Sequence, residues 1–154
     1  MTDLAAVPTT DLDALRDRAD AVGRQVEDAL VPGEDGSEPD EIEAFRIAHR
    51  TLREAGFFSL VVPRAHGGAD VGALAPAETV SVRALATCRQ ALAFRHAMAD
   101  LAFVEQGLGS FPIALGSEDA ELTGVLRRVA AGEVTPAHGR AGGGAGSGQA
   151  GVAA

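Results

Sequence analysis

The chain has 154 residues, enough for one domain with a hydrophobic core. It contains no Lys, Tyr or Trp; all 13 basic residues are Arg, and Cys88 is its one cysteine. These zeros exclude a lysine Schiff base, a Walker-type phosphate lysine, an intrachain disulfide and a Cys-rich zinc cage, and the formal charge of −9 argues against a general nucleic-acid binder.

Met1-Thr2-Asp3-Leu4 does not open a signal peptide, and no apolar run approaches the roughly 20 residues of a membrane span. The expectation is a soluble, cytoplasmic protein with no membrane and no nucleic acid among its partners. Residues 1–45 hold 13 acids and 3 Arg, whereas residues 46–154 hold 9 acids and 10 Arg. The acidity therefore belongs to the N-terminal segment. Leu15, Ala19, Val22 and Val26 recur at helical spacing, with Thr9 and Thr10 as candidate caps. Glu34 to Glu43 reads as a solvated linker; its acids lack the alternating ligand pattern of a calcium loop. Ile42, Phe45, His49 and Leu52 form a second helical stripe, closed by Gly56 at C′.

Phe57-Phe58-Ser59-Leu60-Val61-Val62 reads as an extended, buried connector ended by Pro63. His66-Gly67-Gly68 is shared with esterase oxyanion loops, but no GxSxG nucleophile turn accompanies it, so a turn with positive φ is expected. Pro76 suits the first turn of a third helix carrying Val80, Ala84 and Cys88. A fourth helix is expected from Ala91 to Gln106, with His96 and Asp100 on one face. Two such groups without a third make no metal site. His49 reads as a packed histidine and Cys88 as a small core hydrophobe. Ser117, followed by Glu118, Asp119 and Glu121, marks a further helix start, and Leu122, Val125, Leu126 and Val129 give that helix an apolar face.

Residues 139–154 hold 7 Gly and 5 Ala and bury little, so a flexible tail is expected. Gly146-Ser147-Gly148-Gln149-Ala150-Gly151 matches GxGxxG, but no strand and following helix frame it. The fold class is thus all-α, a bundle of five to six helices with a short extended connector and a Gly/Ala-rich tail. No triad, carboxylate dyad or phosphate cradle emerges, and no catalytic residue or metal site is assigned.

The order of segments adds a resemblance. Leu52-Arg53-Glu54-Ala55-Gly56-Phe57-Phe58 precedes Leu60-Val61-Val62-Pro63 and then Gly67-Gly68. Later, Leu108-Gly109-Ser110-Phe111-Pro112-Ile113 leads to Leu115-Gly116-Ser117-Glu118-Asp119, and Val129-Ala130-Ala131-Gly132-Glu133 closes a helix. This series resembles the N-terminal helical domain of the acyl-CoA dehydrogenases, over residues 12–137. An arm (1–11) would precede it. The tail (138–154) would stand where the family's β domain begins.

The resemblance implies an FAD-dependent α,β-dehydrogenation of an acyl thioester, carried by CoA or by an acyl-carrier protein. In the family a carboxylate removes the α proton and the flavin takes a hydride from the β carbon. Those parts belong to the β domain and the C-terminal bundle. The resemblance therefore implies a truncated chain, inactive by itself, or one subunit of a split flavoenzyme. The family's flavin-contacting run, Thr-Glu-Pro-x-Ala-Gly-Ser-Asp, is matched here by Ala145, Gly146 and Ser147. Ala141, Gly142, Gly143 and Gly148 replace its Thr, Glu, Pro and Asp. Gly146 and Ser147 are the cofactor-binding residues so implied. The implied wall of the acyl pocket is Leu101, Val104, Glu105 and Leu108. The alternative is a non-enzymatic helical interaction module whose exposed apolar surface binds a partner or a second copy.

Overall fold

The computed structural model describes residues 10–32, 36–116 and 120–136. The described residues form five α-helices, α1 (Leu12–Ala29), α2 (Glu41–Glu54), α3 (Val82–Arg95), α4 (Ala97–Gly116) and α5 (Ala120–Ala130), with three short 3-10 turns between α2 and α3 and no strand. The all-α expectation holds. The linker around residues 33–35, the Ser117 helix signal and the tail with Gly146 and Ser147 lie outside the described residues.

Helix α1 runs chiefly along α3, and α2 along α4. The α1 stripe is the expected one: Leu15, Ala19, Val22 and Val26 are fully buried. Its cap is Asp11 rather than a threonine, with the carboxylate accepting from the N–H groups of Asp13 and Ala14. Thr10 instead packs on Gly72, where a Cβ would lie 2.7 Å from its methyl. Helix α2 starts at Asp40, whose side chain accepts from the Glu43 N–H. Its buried face is Ala44, Ala48 and Leu52, while Ile42 points to solvent. Of the expected stripe Leu52 is fully buried and Phe45 and His49 are half-buried, so only Ile42 falls outside the face that Ala44 and Ala48 complete.

The connector is the clearest correction. Phe57–Val61 is a 3-10 turn, and only Val62 and Pro63 are extended. Gly56, at φ +71°, reverses the chain at the end of α2, and the Ser59 hydroxyl donates to the Gly56 carbonyl. A buried strand would need a ladder partner for each amide. The turn satisfies part of that demand locally while still burying Phe57, Phe58, Leu60 and Val61. Gly67 has the expected positive φ, but Gly68 serves a different need: a Cβ there would lie 1.7 Å from the Val62 carbonyl oxygen.

Two helix boundaries also differ. Pro76 lies in a turn in which the Thr79 N–H donates to its carbonyl; α3 begins six residues later, capped by Ser81, whose Oγ accepts from Ala84 N–H. The expected single helix from Ala91 to Gln106 is split at His96, which is extended at φ −155°. Its Nδ1 accepts from the Met98 N–H, as a capping side chain does, and so starts α4. Helix α4 then continues past Gln106, the expected end, through Leu108-Gly109-Ser110-Phe111-Pro112 to Gly116. Pro112 supplies no N–H to the ladder, but the helix is held from outside. Ser110 Oγ donates to the carbonyls of Val61 and Gly107, and Gly109 lets Pro136 approach, where a Cβ would meet its carbonyl oxygen at 2.3 Å.

The C-terminal end of α5 closes as expected. Gly132, at φ +66°, sits at C′, with its N–H donating to Val129 and the Glu133 N–H donating to Arg128. Fully buried Gln106 locks this end to α4 by donating from Nε2 to the carbonyls of Val129 and Val134, at 3.1 and 2.7 Å.

Candidate functional site

A groove of about 320 Å³ opens between α3 and α4. Helix α3 contributes Val82, Leu85, Ala86 and Arg89, at positions i, i+3, i+4 and i+7 of one face. Helix α4 answers with Val104, Gly107, Leu108 and Phe111 at the same spacing, with Phe103 beneath. Val61, from the 3-10 turn, forms the floor. The break at His96 is what makes the groove possible, because it folds α3 and α4 back on each other and turns their apolar faces to a common space. A Cβ at Gly107 would rest on Val61 at 3.5 Å, an ordinary van der Waals contact.

The lining is apolar except at Arg89. Asp100, one turn into α4, accepts from Arg89 Nε and Nη2 at 2.8 Å each. This fork-to-fork pair fixes the guanidinium plane at the groove edge. Asp100 also raises the Arg89 pKa further above its ordinary value, chiefly through those hydrogen bonds.

The four implied pocket residues are only partly brought together. Val104 and Leu108 line the groove. Leu101 lies one turn before Val104 and Glu105 one residue after it; both are exposed, and neither lines the groove. Leu85, Phe103 and Phe111 were not expected there. Phe111 lies beyond Gln106, where the fourth helix was expected to end, and the helical spacing of 104, 107, 108 and 111 is the signal that would have found it. Gly146 and Ser147 lie outside the described residues, so they place no flavin contact. The groove itself offers one cationic side chain amid apolar walls. A dinucleotide with a pyrophosphate and a polar ring edge needs several more donors, so this lining does not fit FAD.

The remaining candidates resolve into structural roles. His96 and Asp100 do not pair: His96 caps α4, and Asp100 bonds Arg89. His49 is half-buried between Phe45 and Phe58, ring centroids 6.1 and 4.7 Å away, with Nε2 3.1 Å from Thr135 Oγ1. Burial lowers its pKa; a contact with Gln106 opposes this and the Arg53 charge adds to it. Cys88 is fully buried, and burial pushes its pKa up to about 12, only partly offset by the nearby Arg18 charge. Arg18 is itself buried, with its guanidinium 4.9 Å above the Phe57 ring and Nη2 donating to the Ala55 carbonyl. Among the described residues no group of three or more His, Cys, Asp or Glu is placed to hold a metal ion. No described helix is long and apolar enough to cross a membrane.

Comparison with protein-family models, with curated proteins and with solved structures finds no match for this chain.

Proposed function

We propose that this chain is an acyl-binding helical domain, similar in role to the N-terminal domain of the acyl-CoA dehydrogenases, and that the α3–α4 groove receives the acyl chain. The observation that carries this reading is the groove itself: a cavity of about 320 Å³ with an apolar lining apart from Arg89, whose walls include Val104 and Leu108, two of the four residues that the resemblance marks as lining an acyl pocket. The thioester would be that of CoA or an acyl-carrier protein. Any dehydrogenation would need an FAD site that the groove does not provide.

The test is direct titration with acyl-CoA esters of increasing chain length. Affinity should rise with each added methylene, by up to about fourfold per buried CH₂, and free CoA should bind weakly. Leu108→Arg should abolish the chain-length dependence while the far-ultraviolet dichroism stays unchanged. An affinity independent of chain length, or one unaffected by Leu108→Arg, contradicts the reading. Co-expression with the adjacent reading frame, followed by a flavin and electron-acceptor assay, tests the split-enzyme form of the proposal.

A second reading is favoured by a specific feature. Val82, Leu108, Phe111 and Leu115 are all exposed, from 40 to 74 %, and the last three share a face of α4 at i, i+3 and i+7. Such a patch also suits a helical interaction module that binds another protein or a second copy. Light scattering discriminates: a monodisperse monomer counts against self-association.

A further inference from the structure

We propose that the groove is selective for linear chains bearing a free carboxylate, with Arg89 as the residue that holds it. This rests on the acyl-groove reading above and names the class of chain: one whose carboxylate lies at the end remote from any thioester, the end that decanoate presents without a carrier.

Three observations converge. The groove is apolar along α3, α4 and Val61, which asks for an aliphatic body. At roughly 30 Å³ per small heavy-atom group, its volume of about 320 Å³ accommodates about ten such groups. Its lining contains one ionic side chain, Arg89, at the edge rather than on the floor. An arginine on an otherwise apolar lining complements an amphiphile with an anionic end.

The orientation of Arg89 sharpens the class. Asp100 occupies Nε and Nη2, so the side chain arrives with its guanidinium plane already set. Among the described residues no partner is assigned to Nη1, leaving its two N–H donors for an incoming acceptor. A single planar carboxylate can take one or both. The Asp100 charge repels any anion at Nη1, and a dianionic phosphate about twice as strongly as a single carboxylate, so the phosphate is the poorer fit. Part of the entropy of ordering a long arginine has already been spent by the Asp100 pair, which is the advantage of a preorganised donor.

The experiment uses the full chain and three probes in isothermal titration near neutral pH: decanoate, the neutral decanamide and decyl phosphate. Decanoate should bind about tenfold more tightly than decanamide, the scale of one charge-assisted hydrogen bond at a half-exposed site, and more tightly than decyl phosphate. Arg89→Met should erase the preference for decanoate while leaving decanamide binding in place. Ala86→Glu offers a second variant that leaves Arg89 and Asp100 intact. Ala86 lines the groove three residues before Arg89, so the new carboxylate can occupy Nη1 and should erase the same preference. If dichroism shows that Arg89→Met does not fold, Ala86→Glu decides. Equal binding of decanoate and decanamide, a preference that survives in the folded variant, or tighter binding of decyl phosphate overturns the inference and leaves the acyl groove standing. Failure of all three probes to bind overturns both.

Discussion

Arg89 and Asp100 are joined by two parallel hydrogen bonds of 2.8 Å, across the break that separates α3 from α4. The pair bridges α3 and α4 beside the groove and holds the Arg89 guanidinium in place. Its contribution to stability is nonetheless small, because the Arg89 side chain is 47 % exposed and screening by water and salt takes most of the Coulomb gain. Asp100→Asn is expected to lower the free energy of unfolding by about 0.5–1 kcal/mol, read from urea denaturation. The contrasting case is Asp20, which ties α3 to α1 through Arg95 and also accepts from Arg24, so one substitution there breaks two ion pairs. Asp20→Asn should therefore cost more than Asp100→Asn in the same measurement.

Gly68 and Gly36 separate two reasons for glycine. Gly36 has φ +76° and open space where a side chain would go, so Gly36→Ala should cost only the left-handed backbone penalty, about 1–2 kcal/mol. Gly68 does not have that φ, yet a Cβ would fall 1.7 Å from a backbone oxygen and 2.8 Å from that of Ser59. Gly68→Ala should be the more damaging change, lowering Tm further than Gly36→Ala. The ordering is checked by thermal denaturation of the two variants side by side.

These glycines also mark what was legible in the sequence. Local spacing sufficed for α1, whose stripe Leu15, Ala19, Val22 and Val26 is the buried one, and for the glycine ends at Gly56 and Gly132. Those features depend on periodicity and backbone chirality, which neighbouring residues encode. The run Phe57–Val61 was misread because a short apolar segment has no period of its own, and tertiary burial decides its form. His96 was missed as a break because a histidine cap bonds like an Asp or Asn cap but is far less common. The fourth helix was expected to end at Gln106; what carries α4 on through Pro112 is contact from Val61 and Pro136, residues distant in sequence. The groove was half legible for the same reason: Val104 and Leu108 share a visible α4 stripe, but Arg89 joins them only once the chain reverses at His96.

Cys88 should be chemically silent in the native state. It is fully buried in the α1–α3 contact and its thiol is pushed up to about 12, so the thiolate fraction near neutral pH is negligible. A disulfide reagent such as Ellman's should react slowly with the folded chain and at an ordinary thiol rate in denaturant. Fast native labelling would show that α1 opens from α3 far more often than this packing allows.

His49 should make the fold less stable as pH falls below about 6.5. Burial between Phe45 and Phe58 lowers its pKa below the ordinary 6.5. The unfolded chain therefore binds the proton more readily than the folded one. The stability tied to neutral His49 is fully present above pH 6.5 and is lost as pH falls through that value toward the folded pKa. His49→Gln, which keeps a polar group near Thr135 but cannot titrate, should flatten the loss. Asp20 and Asp70 also lie below their ordinary value of 3.8, but they act only at more acidic pH. Urea midpoints at pH 5, 6 and 7 for both proteins check this.

The central claim is that the α3–α4 groove binds an acyl chain, and amide chemical-shift mapping tests it most directly. Titration of the labelled chain with decanoyl-CoA should produce saturable shifts confined to Val61, Leu85, Ala86, Val104, Gly107 and Leu108, lost in Leu108→Arg. Saturable shifts centred instead on Phe94 and the α1–α3 surface, or no saturable shift at all, would contradict it.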